Sequence, residues 1–101
     1  MVLIYTTCRN AEEAKKIGTM LLEKHLAVCV NIWPITSLYS WQGKLKEDAE
    51  AALLIKTSEP KVADIEAVVL ANHSYDVPFV GVVEVKRLNR EYREWMSQVI
   101  H

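Results

Sequence analysis

One stretch of the chain, residues 27–57, constrains the fold more than any other. It contains two long extended segments, Ala27 to Trp41 and Lys44 to Thr57, which fold back on each other at Gln42-Gly43. Apolar residues recur at every second position early in the first segment, which is the period of side chains on one face of a strand. A hairpin of this length is more than a small domain can cover, so its free edge and its aromatic side chains need another surface. We expect that surface to be another copy of the chain.

Two features of this hairpin test its assignment to strands. Trp33-Pro34 interrupts the alternation, and because proline cannot donate a hydrogen bond to a ladder, the pair predicts either a bulge or an edge position. Lys46 to Leu54 is rich in residues of high helix propensity. The turn at Gly43 and the extended segment before it nevertheless favour a strand there, because tertiary pairing commonly overrides propensity.

Before the hairpin, the sequence predicts one strand and one helix. Val2 to Thr7 is a short apolar run rich in β-branched residues, which is typical of a strand. Asn10 and Glu13 have the spacing of a capping box, in which Asn10 accepts a hydrogen bond from the amide of Glu13 and the Glu13 side chain reaches back. A helix should therefore start here and pack its apolar face on a sheet.

After the hairpin, the sequence predicts two helices with a strand between them. Ser58 can cap a helix that ends near Asn72-His73. Phe79 to Val85 has almost no polar interruption, which is typical of a central strand that is covered on both sides, or by helices on one face and by a neighbour on the other. Asn89 can cap a final helix with an apolar stripe. The residues of that stripe are Tyr92, Trp95, Met96 and Val99.

The predicted order of elements is β, α, β, β, α, β and a C-terminal helix. This order is typical of the α+β class and of the ferredoxin-like split βαβ fold, an antiparallel four-stranded sheet with two helices on one face. Here the hairpin between the second and third strands is unusually long. With 101 residues and 50% hydrophobic content, residues 1–101 should form a single domain. Many unrelated functions share this fold, so it does not identify the chemistry.

Charge and hydropathy argue against several classes of partner. The formal net charge is −1, with 12 basic and 13 acidic residues interspersed, so no broad positive field is available for nucleic acid. No apolar run approaches the roughly 20 residues that span a bilayer, which argues against a membrane protein. Met1 to Asn10 lacks the basic start and apolar core of a signal peptide. We therefore expect a cytosolic protein.

The sequence patterns of common enzyme classes are missing. There is no Gly-rich phosphate loop, no nucleophile elbow and no HExxH motif. The aromatic and basic signature of RNA-binding sheets and the CxxC motif of copper-transfer domains are missing as well. We therefore expect a non-enzymatic protein.

Several motifs occur in a fixed order along essentially the whole chain. They are Ala27 to Ile32, Pro34, Ser37 to Lys44, Glu47-Asp48 with Ile55 to Thr57, His73 to Pro78, and Tyr92 with Trp95. Together they resemble the CutA family of divalent-cation tolerance proteins. The resemblance implies a ferredoxin-like subunit in a tight homotrimer, implicated in tolerance of copper and other divalent metals. It also implies an assembly similar to that of PII signalling proteins.

Two positions depart from the family pattern. Ser74 stands where the family usually has a proline, and Phe79 stands where an acidic residue commonly follows the last proline of the motif. A metal site that used this carboxylate beside His73 would be incomplete in this chain.

The candidate metal ligands are His73, Asp76 and a cysteine, Cys29 or Cys8. Imidazole nitrogen and thiolate sulfur are ligands that Cu(II) and Zn(II) prefer, so we expect no required cofactor but Cu(II) or another divalent cation as a ligand. The structural alternative is that His73 only serves the C-terminus of its helix and that Cys29 is a small buried residue at a contact. Cys8 lies beside a helix N-terminus, which can lower the pKa of a thiol. Both cysteines should be reduced in the cytosol.

Aromatic residues of the hairpin and of the last helix are the candidate trimer interface, because Trp and Tyr dominate interface energetics. These residues are Trp33, Tyr39, Trp41 and Trp95. The alternative function is a regulatory module that, like PII proteins, binds a small anion in a cleft between subunits. Lys56 and Tyr75 are the candidate residues of that effector cleft.

Overall fold

The computed structural model describes residues 1–101, which form a four-stranded antiparallel sheet and three α-helices. The elements are β1 (Val2–Cys8), α1 (Ala11–Glu23), β2 (Cys29–Trp41), β3 (Lys44–Thr57), a 3₁₀ turn (Glu59–Lys61), α2 (Val62–Asn72), β4 (Val80–Glu84) and α3 (Arg90–Val99). The predicted order and the ferredoxin-like fold are confirmed. None of the helices has the length and apolar character needed to cross a bilayer.

The strands lie in the order β2-β3-β1-β4, and every neighbouring pair is antiparallel. The prediction of a central strand at Phe79 to Val85 is therefore wrong, because β4 lies at an edge. Val82 and Val83 on β4 are 44% and 57% exposed. An apolar run reports only that polar side chains are missing, and it does not determine which strands flank it.

The long hairpin of β2 and β3 forms as predicted. Its register is unbroken from Cys29 opposite Lys56 to Trp41 opposite Lys44, so Pro34 causes no bulge and occupies an edge strand instead. The turn residues Gln42 and Gly43 have φ angles of 51° and 76°, as two-residue hairpin turns require. Lys46 to Leu54 lies within β3, so the strand assignment is confirmed against its helix propensity.

Helices α1 and α2 cover one face of the sheet and enclose the core. Its largest members have no exposed surface, and they are Ile4, Ile17, Leu21, Leu53, Ile55, Ile65 and Val69. The approach of α1 to β2 is close at Gly18, where an added Cβ would lie 2.9 Å from Cγ2 of Val30. A larger residue at this position would require either the Val30 side chain or the helix to shift.

The other face of the sheet carries Tyr5, Trp33, Phe79 and Val83, and we call it the open face. The ring of Tyr5 lies between those of Trp33 and Phe79, with centroid distances of 6.4 and 6.3 Å. Trp33 is 40% exposed and Phe79 is 60% exposed. Helix α3 covers only one end of this face, where Met96 packs near Val28. Apolar patches of this kind are typical of interaction surfaces.

All three of the predicted helix caps differ in detail from the prediction. Asn10 accepts from the Glu13 amide at 2.9 Å as predicted, but the Glu13 side chain accepts from the Arg9 amide at 3.0 Å and not from that of Asn10. Ser58 and Asn89 occupy N-cap positions, yet neither side chain makes a capping hydrogen bond. A 3₁₀ turn containing Pro60 separates Ser58 from α2, so its hydroxyl precedes the turn and not the α-helix.

Candidate functional site

Three side chains with metal-ligating atoms meet where β1 ends. The Cys8 sulfur, a Glu13 carboxylate oxygen and a His73 ring nitrogen all lie within 4.8 Å of one another. Cys8 is the last residue of β1, Glu13 lies in the first turn of α1, and His73 directly follows α2. The split βαβ topology therefore brings residues far apart in sequence to one point, which we call the donor cluster.

Both ring nitrogens of His73 are engaged by backbone groups. Its Nε2 lies 2.8 Å from the carbonyl oxygen of Thr7, and its Nδ1 lies 3.1 Å from the amide nitrogen of Tyr75. A carbonyl only accepts and an amide only donates, so Nε2 carries the hydrogen and Nδ1 offers its lone pair to Tyr75. The imidazole is therefore neutral in this arrangement. Its side chain has no exposed surface.

Glu13 holds the loop after α2 onto the start of α1. Its carboxylate accepts from the amide of Arg9 and from the amide of Ser74, each at 3.0 Å. Burial raises the pKa of Glu13, but these hydrogen bonds outweigh burial and lower it below its ordinary value. Oε1 also lies 3.9 Å from Nδ1 of His73, yet this contact is not a charged pair because the imidazole is neutral.

Cys8 is a buried thiol and not a thiolate. It has no exposed surface, and burial, with smaller contributions from Glu13 and Glu50, raises its pKa to about 11. Any lowering of this pKa by the nearby helix N-terminus is outweighed by desolvation and by the neighbouring carboxylates. A protonated thiol is a weak nucleophile and a weak metal ligand.

The donor cluster contains atoms that can ligate a metal. In the resting state, however, these atoms are not free to bind one. Nitrogen, sulfur and carboxylate oxygen are ligands of Cu(II) and Zn(II) in proteins. In this structure His73 has no free lone pair, and Cys8 keeps its proton. Metal binding here would have to release the Tyr75 amide from His73 and remove a proton from Cys8.

The other predicted metal ligands do not join this cluster. Cys29 lies on β2 opposite Lys56, and it packs against the small apolar cluster around Met96. Asp76 is exposed in the segment between α2 and β4. The structure thus brings His73 together with Cys8 and Glu13. Glu13 was not predicted as a ligand because a capping role already explained its position.

The two predicted residues of the effector cleft lie apart in one subunit. The Nζ of Lys56 lies 5.6 Å from the centroid of the Tyr92 ring, and both residues line a shallow pocket of about 250 Å³. The Tyr75 hydroxyl instead donates to Glu50 at 2.5 Å, six positions away from Lys56 on β3. Burial, followed by the bond to Glu50, raises the pKa of Tyr75 well above its usual range.

Two larger pockets were not predicted from the sequence. One lies beside the start of α3, has a volume of about 440 Å³ and is lined by Lys86, Arg87, Arg90 and Arg93. The other has a volume of about 920 Å³ and lies between the end of the hairpin and residues 74–79. Basic residues dominate the first, whereas aromatic and acidic residues dominate the second.

The predicted interface aromatics are all exposed in the single chain. Trp33, Tyr39 and Trp41 alternate along β2, so they point to the open face, and they are 40%, 42% and 58% exposed. Trp95 lies on α3, where it makes an edge contact with Tyr92 at 5.4 Å between ring centroids, and it is 45% exposed.

Comparison with known proteins gives a consistent result over the whole chain. A family model described as CutA1 divalent ion tolerance protein matches residues 2–99. The divalent-cation tolerance protein CutA of Archaeoglobus fulgidus is 39% identical over 97 residues, which cover 96% of this chain and 95% of that protein. The human protein CutA is 41% identical over 96 residues, covering 94% of this chain and 54% of the human protein.

Solved structures match equally well. A structure described as the periplasmic divalent cation tolerance protein CutA of Archaeoglobus fulgidus has a TM-score of 0.95 with 38% identity, and all of both chains is covered. The crystal structure of CutA1 from Pyrococcus horikoshii has a TM-score of 0.94 with 30% identity, covering 100% of this chain and 99% of that one.

Proposed function

The chain belongs to the CutA1 divalent ion tolerance family, and on this basis we propose that it acts in tolerance of divalent metal ions, copper among them, without catalysing a reaction. We propose further that it works as a homotrimer in the cytosol. The observation that carries the metal role is the convergence of Cys8, Glu13 and His73 within 4.8 Å. One relative is described as periplasmic, so fractionation of cells that produce the protein tests the location.

The proposed ligand set is His73 with Cys8 and Glu13. It replaces the set of His73, Cys29 and Asp76, because Cys29 and Asp76 lie outside the donor cluster. Binding of a metal ion requires loss of the Cys8 proton and of the hydrogen bond from the Tyr75 amide to His73. Metal binding should therefore release protons and strengthen as the pH rises.

A Cu(II) titration with a matched histidine control tests this set. Exposed histidines and cysteines also take up copper, because copper binds most tightly in its series. His25 is exposed and lies outside the donor cluster, so His25→Asn is the control. His73→Ala should weaken Cu(II) binding at least about tenfold, while His25→Asn should not. Equal affinities for both variants would reject His73 as a ligand.

The homotrimer is supported by surface that one chain leaves uncovered. The open face exposes Trp33 and Phe79, and both edge strands, β2 and β4, lack a partner on one side. Pairing β2 of one subunit with a neighbour's sheet would cover an edge and form a closed ring. Trp33, Tyr39, Trp41 and Trp95 would anchor the junctions. Sedimentation equilibrium should give three times the chain mass of 11.5 kDa.

A second candidate function is a PII-like module that binds a small anionic effector. The observation that favours it is the basic pocket beside α3, where only Arg90 has a carboxylate partner, Glu94 at 2.8 Å. Lys56 lines the adjoining shallow pocket, whereas Tyr75 could reach such a ligand only from another subunit. Calorimetry with nucleotides and with divalent metals distinguishes the two functions.

A further inference from the structure

Residues 74–79, which join α2 to β4, are held to the rest of the subunit through the donor cluster. The Ser74 amide donates to Oε2 of Glu13 at 3.0 Å, and the Tyr75 amide donates to Nδ1 of His73 at 3.1 Å. No backbone–backbone hydrogen bond outside the helices and strands involves this segment. Two side chains of the donor cluster therefore hold its backbone in place.

The side chain of Tyr75 adds a second attachment. Its hydroxyl donates to Oε2 of Glu50 on β3 at 2.5 Å. Its ring also lies against the imidazole of His73, with 4.8 Å between the ring centroids. A hydrogen bond to a charged acceptor is roughly twice as strong as one between neutral groups. The bond to Glu50 and the ring contact thus keep the Tyr75 amide against His73.

Nδ1 of His73 is the ring atom that a metal ion would bind in this tautomer. Nε2 carries the hydrogen that it donates to the Thr7 carbonyl, so only Nδ1 has a lone pair. That lone pair can accept an N–H or bind a metal ion, but it cannot do both at once. The Tyr75 amide and a metal ion therefore exclude each other at this atom.

The other two side chains of the donor cluster do not have this conflict. The Cys8 thiol is fully buried and makes no hydrogen bond, so no partner has to leave its sulfur. Each carboxylate oxygen of Glu13 accepts from one amide and has a second lone pair left for a metal ion. The hydrogen bond from Tyr75 is thus the contact that closes the donor cluster.

We propose that Tyr75 is an autoinhibitory contact of the donor cluster: its amide occupies Nδ1 of His73, its hydroxyl bond to Glu50 keeps the amide there, and a metal ion binds only when both bonds break. This inference rests on the proposed metal function and deepens it, because it names a residue that controls metal affinity without touching the metal.

The inference predicts how the affinity depends on Tyr75. If only molecules with Tyr75 released bind the metal, the apparent dissociation constant equals the intrinsic one divided by the fraction of released molecules. Any change that weakens the hold on Tyr75 raises this fraction. Metal binding then becomes tighter, although no ligand has changed.

Tyr75→Phe tests this dependence by calorimetry with Zn(II) on the full chain in its native assembly. The substitution removes the hydroxyl that donates to Glu50, but it keeps the ring and the backbone amide and changes no charge. Zn(II) should bind about threefold to tenfold more tightly than to wild type, which corresponds to the loss of one hydrogen bond from the closed form. A gain of affinity cannot come from misfolding.

Tyr39→Phe is the matched control. The Tyr39 hydroxyl also donates to a carboxylate, Oδ2 of Asp48, at 2.5 Å. Both of these residues lie on the hairpin of β2 and β3, and neither belongs to the donor cluster or to residues 74–79. Tyr39→Phe should therefore bind Zn(II) with the affinity of wild type.

Hydrogen exchange gives a second readout, which does not depend on the affinity. NMR with Zn(II), a closed-shell ion, reports the exchange rate of each amide with and without metal. A ligand of the folded state normally slows exchange, because it stabilises that state. The Tyr75 amide should instead exchange about tenfold faster in the zinc form, because it has lost its acceptor. The Val28 amide, bonded to the Lys56 carbonyl at 3.0 Å, should not exchange faster.

The outcomes separate this inference from the metal function on which it rests. Tighter binding in Tyr75→Phe but not in Tyr39→Phe, together with faster exchange of the Tyr75 amide, supports it. Zinc binding that His73→Ala weakens, but that is equal in wild type and Tyr75→Phe or slows exchange at Tyr75, overturns the inference and leaves the metal function standing. Zinc binding that His73→Ala does not weaken overturns both.

Discussion

The Nε2 atom of His73 lies 2.8 Å from the carbonyl oxygen of Thr7, and this bond joins the end of α2 to the end of β1. The other ring nitrogen accepts from the Tyr75 amide. A single buried imidazole therefore fixes the segment that carries Tyr75 and Phe79 to the pocket between the end of the hairpin and residues 74–79. The candidate metal ligand His73 thus lies two positions before Tyr75, which lines this pocket.

Removing this imidazole should destabilise the protein. His73→Ala leaves the Thr7 carbonyl and the Tyr75 amide without their partner, and each orphaned group costs about 1 to 3 kcal/mol. We expect the free energy of unfolding to fall by about 2 to 4 kcal/mol in urea denaturation. The exposed control His25→Asn should change it by less than about 0.5 kcal/mol. Similar losses in both variants would show that His73 has no special structural role.

The raised pKa of Cys8 predicts that the protein loses stability in alkali. The pKa of Cys8 is raised from 9.0 to about 11 in the folded protein. Between these values the unfolded thiol loses its proton while the folded one keeps it, so stability falls as the pH rises through this window. The contribution of Cys8 to this fall is about 2 to 3 kcal/mol.

The difference in the free energy of unfolding between wild type and Cys8→Ala across this pH window measures that contribution, because the contributions of the other titrating groups cancel. Cys29→Ala is the matched control and should follow the wild-type pH profile. If Cys8→Ala and wild type lose stability in parallel between pH 9 and pH 11, folding does not raise the pKa of the Cys8 thiol.

The lowered pKa of Glu13 predicts that the protein loses stability in acid. Its pKa is lowered in the folded state by the hydrogen bonds from Arg9 and Ser74, which outweigh its burial. Its stabilising contribution is therefore present above the unfolded pKa of about 4.5 and is lost as the pH falls through the folded value. Glu13→Gln should destabilise the protein at neutral pH by about 1 to 2 kcal/mol.

The stability curves of Glu13→Gln and wild type should converge as the pH falls below 4.5 in thermal unfolding experiments. Glu12 is exposed one position earlier on α1, so Glu12→Gln is a suitable control. A constant difference between Glu13→Gln and wild type at every pH would contradict the role of the Glu13 charge.

A charge on the open face should dissociate the proposed trimer. Phe79 is 60% exposed in the single chain, so Phe79→Glu should affect the fold of the subunit little but should bury an unpaired carboxylate in the interface. Sedimentation velocity should then show a shift from three chains to one. Leu70 is 49% exposed on α2, away from the open face, and Leu70→Glu should leave the mass unchanged.

Most of the fold follows from local sequence patterns, and the exceptions have a physical cause. Alternation in β2, the turn at Gln42-Gly43 and the N-cap at Asn10 all specify local geometry, and these features form as predicted, although Glu13 bonds the amide of Arg9 and not that of Asn10. The position of β4 at the edge depends on which strands pair, which an apolar run cannot reveal. The strand at Lys46 to Leu54 was predictable only from its pairing with β2, because its propensity favours a helix.

The site was less predictable than the fold because it depends on long-range packing. His73 was identified from its residue type, but its partners Glu13 and Thr7 are 60 or more positions earlier in the sequence. The state of Cys8 depends on burial, which no neighbouring residue in the sequence indicates. The pocket of about 920 Å³ is lined by three strands and a loop, so its walls appear only when the chain is folded.

A crystal structure of the protein grown with one equivalent of Cu(II) tests the central claim most directly, since it reports assembly and site together. We predict three chains around a threefold axis with their open faces buried, and a copper anomalous peak bounded by His73, Cys8 and Glu13. A lattice in which the open face contacts only solvent, or copper bound only at exposed groups such as His25 or His101, would contradict the account.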